Sequence, residues 1–428
     1  MGRLLYTLLL TLLLPLVSIW MKWRGWRNPA HRGSLRQRLA LGLQQRGDRP
    51  LWLHAASVGE VQSLAGLVRL LLREQPSQPL VITVGSPTGV ARAAALFAES
   101  PHVAVSLAPF DLPGVARRFL AANRPRYGAI VETEIWPNMI AVATRCGVPL
   151  SMVSARVSQR STTRYLRYAP GLVRRTLVKF RNIGAQSEAD RQRFIQLGAD
   201  PSRLQVIGNL KFDFPLPQGI AQKGMDLRAC YAPHRPMWVA GSTHPGEEEV
   251  CIAAQQDLVK RAGSAATVAP LLVLAPRRAE RFDEVASWLT GLGISFVRSS
   301  RAADGRGAQM EGQVLLVDTL GELLAFYAAG DVAFVGGSLV PVGGHNLLEP
   351  AALGKPTVTG PHSFNSPEAA RLLEAAGGLT RVTDATTLAD AIHGLLTDPV
   401  SAKAQGQRAA AAVVANQGAA ARALALLA

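Results

Sequence analysis

The chain has 428 residues, enough for roughly two or three domains, of which 48% are apolar and only 18% charged. That balance excludes a disordered, solvating protein, and a many-pass membrane protein is excluded because only one apolar run approaches membrane length. Lys and Arg number 46 against 30 Asp and Glu, a formal charge of +16 that calls for an anionic partner: nucleic acid, a membrane surface or a phosphorylated substrate.

The first predicted element runs from Leu4 to Trp20, 17 positions without a charge. That is about the shortest helix able to span a bilayer core, and Pro15 is a possible kink within it. A cleaved signal peptide and a buried core helix are the rivals. However, no A-x-A site follows, and Trp20, Trp23 and Trp26 suit a membrane interface. Between Met21 and Arg49 stand eight Lys or Arg and one Asp, which by the positive-inside rule keeps this flank in the cytoplasm. Residues 1–21 are therefore expected to anchor a cytoplasmic body to the inner leaflet.

Short apolar runs then alternate with segments of helical spacing. The runs are Leu51–His54, Leu80–Val84, Val103–Leu107, Ala129–Val131, Pro149–Val153 and Leu204–Ile207; helical segments include Val61–Arg73 and Ala189–Leu197. A second series begins at Pro236: Met237–Ala240, Leu271–Ala275, Ile294–Val297, Val314–Val317, Val332–Val335 and Thr357–Thr359. This is the βαβ pattern of parallel sheets. It predicts an α/β protein of two doubly wound domains, 33–211 and 236–428. A Pro- and Gly-bearing linker over 212–235 joins them, and ligands are expected in a cleft outside the strand ends. The tail 401–428, rich in Ala and Leu, predicts helix. Three scattered cysteines, Cys146, Cys230 and Cys251, form no CxxC, which argues against a disulfide scaffold or structural zinc and fits a reducing compartment.

Several strand ends carry chemistry. His54-Ala55-Ala56-Ser57-Val58-Gly59-Glu60 has the S-x-x-E spacing of a capping box, so a plain helix start is one reading. The other is that Gly59 admits a ligand and Glu60 acts as a base, its ionised form favoured at a helix N-terminus. In Glu132-Thr133-Glu134-Ile135-Trp136-Pro137-Asn138 two carboxylates share a strand face and repel, which is tolerated in a solvated loop or where a ligand compensates. From Arg156 to Arg181 there are eight Lys or Arg and no acid in 26 residues. Arg156, Arg160, Arg164 and Arg167 fall at helical spacing, either a solvated face or, as the single sign favours, a contact for lipid phosphate or headgroups.

Gly208-Asn209-Leu210-Lys211 ends the first series, with Lys211 available to a ligand. Pro276-Arg277-Arg278 and Thr319-Leu320-Gly321-Glu322 follow strands of the second, where an Arg can reach a phosphate; surface residues and an ordinary helix start are the alternatives. Gly336-Gly337-Ser338 and Gly343-Gly344-His345-Asn346-Leu347-Leu348-Glu349-Pro350 join a strand to a helix start, whose free N–H groups suit a phosphate. The pattern is neither G-x-G-x-x-G nor Walker A, which weakens NAD and ATP readings. Glu349 is placed to accept from ribose hydroxyls. His345 has no second His at metal spacing and reads as a loop-packing or capping residue.

"LHAASVGEV", "ETEIWPN", "GNLKFD", "GSTHPGEE", "DTLGEL", "FVGGSL" and "GGHNLLEPA" occur in this order behind the anchor. The set, covering nearly the whole chain, resembles the bacterial 3-deoxy-D-manno-octulosonic acid (Kdo) transferases of lipopolysaccharide synthesis. The resemblance implies a GT-B glycosyltransferase fold, with two Rossmann-like domains behind an N-terminal membrane-anchor helix. It implies CMP-Kdo as donor and the lipid A precursor lipid IVA as acceptor, with inversion, no required metal and no cofactor. It implies that Glu60 is the general base and that Glu132 and Lys211 stabilise the transition state. Pro276, Arg277, Leu320, Gly321, Glu322, Asn346, Leu347, Leu348 and Glu349 match its CMP-binding segments; Gly343 and Gly344 form the phosphate loop. The arginine stripe matches no motif of the family. A diphosphorylated lipid acceptor accounts for both anchor and basic stripe, on the cytoplasmic face of the inner membrane. The rivals are a membrane-associated transferase of a UDP-sugar and a basic tethered nucleic-acid binder; no nucleic-acid motif is present.

Overall fold

The computed structural model describes residues 2–27, 33–43, 48–214, 216–302 and 313–427. It divides into two compact units, Met1–Pro215 with Asn416–Ala428, and Leu216–Ala415. The first holds seven parallel strands: β1 (Leu51–Ala55), β2 (Leu80–Val84), β3 (Val103–Leu107), β4 (Tyr127–Val131), β5 (Leu150–Ala155), β6 (Ile183–Ala185) and β7 (Leu204–Val206). Their order across the sheet is β3-β2-β1-β4-β5-β6-β7. The second unit has β8 (Met237–Thr243), β9 (Leu271–Pro276), β10 (Phe296–Arg298), β11 (Val314–Leu316), β12 (Val332–Val335), β13 (Thr357–Thr359) and β14 (Leu379–Arg381), ordered β10-β11-β9-β8-β12-β13-β14. These two parallel, helix-covered sheets are the α/β architecture expected of a GT-B fold.

The continuous apolar runs have a simple cause. Helices cover both faces of each sheet, so successive side chains of a strand enter different cores. Trp52, Val81, Ile130 and Met152 pack into one cluster of the first unit. Their neighbours Leu53, Ile82, Ala129 and Val153 pack into the other. β6 and β14, three residues each, were not among the expected strands; so short a run shows no period, and β6 carries Gly184.

Two stretches depart from the expected division. Residues 220–231, read as part of a linker, form the helix Ile220–Tyr231, which starts after Gly219 in the left-handed conformation (φ 75°). The C-terminal tail, assigned by sequence to the second domain, splits into Pro399–Ala415 and Ala419–Leu427, and the latter belongs to the first unit. Asp213 draws it there: its carboxylate accepts from Gly418 N at 2.6 Å and from Ala420 N. Arg422 Nε then donates to Ile207 O at 2.8 Å and Asn182 Nδ2 to Leu426 O at 3.0 Å. The N-terminal helix runs unbroken from Arg3 to Arg27 through Pro15, and by length and composition it is able to cross a membrane.

Candidate functional site

In the first unit β1 lies between β2 and β4, and the chain reverses its direction of winding there. Loops leaving two such strands part at their carboxyl ends, so the residues after β1 and β4 flank a crevice. Glu60 follows β1. Ser57 caps the helix Val58–Glu74, its hydroxyl accepting from Glu60 N at 3.3 Å. The Glu60 carboxylate accepts in turn from Ala56 N at 2.6 Å and from the Ser57 hydroxyl at 3.2 Å. The helix-start reading holds locally, with Ser57 as the cap, and the Glu60 carboxyl stands in the switch-point loop. Its acidity departs from the helix-terminus expectation. Burial, partly offset by the Ala56 N–H and reinforced by the charges of Glu132 and Glu134, raises its pKa to about 7.

Glu132 follows β4 with φ 59°, a left-handed backbone that is unfavourable for a side chain of this size. It pairs with Lys211 Nζ at 2.9 Å, the lysine arriving from the turn after β7. Glu134 accepts from Trp136 Nε1, and burial raises its pKa too. The Trp136 ring lies 4.4 Å from the imidazole of His54, which is fully buried with Nδ1 3.0 Å from Thr83 Oγ1. Burial pushes the His54 pKa down to about 3, so the ring is neutral at physiological pH. Sequence reading passed over His54, which packs behind the loop that carries the acids. Glu60, Glu132 and Lys211 are thus drawn to one crevice of one unit.

In the second unit the corresponding switch point lies at β8, between β9 and β12. Pro276 ends β9 and is buried; Arg277 follows with an exposed side chain. Leu320 and Gly321 are exposed, and Glu322 pairs with Lys223 Nζ at 3.5 Å and accepts from Thr319. Gly343 (φ 108°) and Gly344 (φ 77°) require glycine, a Cβ on Gly343 meeting Asn365 Cγ at 2.7 Å. The Gly344 N–H already donates to Gly337 O at 2.6 Å. Asn346 is exposed, its Nδ2 3.1 Å from Glu349 Oε1, whereas Leu347 and Leu348 are buried, so only their backbone is available to a ligand.

Two further residues of this unit went unread in the sequence. Glu247 is fully buried, and its carboxylate accepts from His244 N (3.0 Å), Gly337 N (2.6 Å), Ser338 N (2.9 Å) and Leu339 N (2.9 Å). It therefore takes up the N–H groups of the first glycine turn, onto which the second turn, 343–346, is tied by Gly344 N and by His345 N, which donates to Gly336 O at 3.1 Å. His244 Nε2 lies 2.8 Å from His345 Nε2, with the rings stacked at 5.1 Å. His345 thus meets a second histidine 101 residues away. Burial, then Arg277 and His244, pushes its pKa down to about 4, and burial also lowers that of His244. Two neutral rings at this distance share one proton, one donating and one accepting.

The basic stripe is shorter than its spacing suggested. Arg156 lies after β5, before Ser158 caps the helix Gln159–Tyr168; only Arg160, Arg164 and Arg167 share that helix, all exposed. Among the described residues, no group of three or more His, Cys, Asp or Glu is placed to hold a metal ion.

A family model described as 3-deoxy-D-manno-octulosonic-acid transferase (kdotransferase) matches residues 33–214. The 3-deoxy-D-manno-octulosonic acid transferase of Bordetella pertussis is 38% identical, over 99% of this chain and 98% of that protein. The Haemophilus influenzae transferase of the same name is 34% identical, over 100% and 98%. Among solved structures, UDP-GlcNAc 2-epimerase from Neisseria meningitidis, bound to UDP-GlcNAc, matches with a TM-score of 0.57 at 12% identity, over 88% of this chain and 99% of that one. That last likeness is of fold alone. With end-to-end relatives at this identity, the chain belongs to the 3-deoxy-D-manno-octulosonic acid transferase family, enzymes that transfer Kdo in lipopolysaccharide synthesis.

Proposed function

We propose that this chain moves Kdo from CMP-Kdo to lipid IVA, with inversion at the anomeric carbon, at the surface of the inner membrane. The observation that carries the mechanism is the Glu60 carboxyl, poised at about 7 in the switch-point loop of the first unit. A general base works best when its pKa lies near the working pH. Glu60 takes the proton of an acceptor hydroxyl as that oxygen bonds to the anomeric carbon. The bond from that carbon to the cytidylate phosphate breaks, and CMP departs with the electron pair. Lys211 balances Glu132, keeping the surroundings of the base from becoming too negative to ionise it. In the second unit Arg277 and the turn 343–346 meet the growing phosphate charge, and Glu322, Asn346 and Glu349 supply polar contacts for the nucleoside. Arg160, Arg164 and Arg167 form an anionic contact face for the lipid acceptor or headgroups, with Arg156 beside it.

Incubation with CMP-Kdo and lipid IVA tests the reading. A product heavier by one or more Kdo residues is expected, and the mass counts the sugars. If CMP fails to protect the protein against heat while UDP does, the donor assignment is overturned.

A further inference from the structure

The N-terminal helix meets the rest of the first unit at both of its ends, on one face. Tyr6, Leu10, Leu14 and Val17 are half-buried and Met21 and Gly25 buried, a series at steps of three and four that traces one stripe. The other faces are open: Leu12, Leu16, Ile19 and Trp26 are 65%, 65%, 66% and 77% exposed.

At one end of the stripe the Tyr6 hydroxyl donates to Asp111 Oδ2 at 2.9 Å, and the Thr7 hydroxyl lies 2.9 Å from Asn138 Oδ1. Asp111 accepts in addition from Met139 N at 2.6 Å and Asn138 N at 3.2 Å. It thereby caps the helix Pro137–Arg145, whose own N-cap residue Trp136 provides no side-chain bond. That helix continues directly from the loop of Glu132 and Glu134. At the other end Met21 and Gly25 lie beside Gly33, Ser34 and Leu35.

Between Tyr6 and Gly25 the helix rises about 28 Å, nearly the whole hydrocarbon thickness of a bilayer. Were it to stand across the membrane, one end of the stripe, with the polar surface it grips, would be carried through the acyl layer. Lying flat, it keeps both ends and still gives its leucines to lipid. Its occupant is marked by charge. The helix has no acid in its first turn and ends in Arg24 and Arg27. The guanidinium of Arg24 lies 5.1 Å above Trp20 and that of Arg27 4.3 Å above Trp23, and cation paired with aromatic is the chemistry that suits lipid headgroups.

We propose that this helix is monotopic. It lies in the plane of one leaflet of an anionic phospholipid membrane, and the Tyr6–Asp111 clasp holds the acceptor-side carboxylate loop at the lipid surface. The proposal rests on the membrane attachment proposed above, and the test separates the two. The full-length chain, with Cys230→Ser, carries one reporter thiol at a time: native Cys146, exposed on the body, or Gly2→Cys with Cys146→Ser, a site with open space around it. Flotation of membranes from expressing cells reads attachment. A membrane-impermeant maleimide, applied to intact spheroplasts and to inside-out vesicles, reads sidedness. Reaction of both reporters in the same preparation is expected. Reaction of position 2 in one and Cys146 in the other would show a spanning helix and overturn the proposal while leaving attachment intact. Failure to float overturns both. Tyr6→Phe with Thr7→Val is expected to float as before and to raise KM for the lipid acceptor several-fold without changing KM for the donor; an unchanged acceptor KM removes the clasp.

Discussion

Glu60 stands where two influences oppose each other. The helix N-terminus favours its ionised form; burial beside Glu132 and Glu134 disfavours it, and burial wins, raising the pKa to about 7. The base must be deprotonated to act, so kcat/KM should climb with pH and level off above about 7. Glu60→Gln is expected to lower transfer by roughly 10²–10⁴-fold and abolish that rise, with CMP binding unchanged. Stability moves oppositely. The folded protein holds this proton to a higher pH than the unfolded chain, so stability falls as pH rises from the ordinary carboxyl range to about 7. Glu60→Gln should therefore melt above the parent at about pH 8, the gap narrowing toward about pH 5, as calorimetry would record. Lys211→Ala removes the cation 2.9 Å from Glu132. Its expected effects are a stability loss of about 1–3 kcal/mol and an acid limb displaced to higher pH, because Glu60 then ionises against more negative charge. A limb that stays in place would mean Lys211 acts elsewhere.

Elements place these side chains. Each acidic or basic group of the site leaves the carboxyl end of a parallel strand, where the backbone turns from sheet to helix and its N–H groups lose their ladder partners. The turn after β12 shows how such a site is held: Glu247 gathers three of its N–H groups, and that of His244 after β8, on one buried carboxylate. Glu247→Ala leaves them without acceptors and is expected to cost at least about 2 kcal/mol in denaturant melts. Heat protection by CMP should weaken at the same time, since the neighbouring turn 343–346 rests on this one. Loss of stability with CMP protection intact would separate the two turns.

At the scale of the whole molecule, the first unit is completed by the end of the chain. Ala419, Ala420, Ala423, Leu426 and Leu427 are buried in the core that includes Leu53 and Val61. Truncation after Ala415 is expected to loosen the first unit while sparing the second. Hydrogen exchange should then rise across β1 and the helix Val58–Glu74 and remain low across β8 and β9. Equal loosening of both units would contradict the assignment of this segment to the first.

Both sheets were legible in the chain because strands buried on two faces must be apolar throughout, and such runs, spaced by helical segments, suit a covered parallel sheet and little else. The capping spacing of Ser57 and Glu60, and the glycines at 343 and 344, could be read for a similar reason: a helix start and a positive φ constrain residue type locally. Long-range placement left no such local mark. Nothing in 419–427 tells which core it fills, because any apolar stripe suits any apolar face; Asp213 decides, from 205 residues away. Arg156 shares the periodicity of Arg160 and its successors yet precedes their helix, since spacing cannot say where a helix begins. The pairing of His244 with His345, the seat of Lys211 on Glu132 and the acidity of Glu60 all depend on distance and burial, which exist only once the chain has folded.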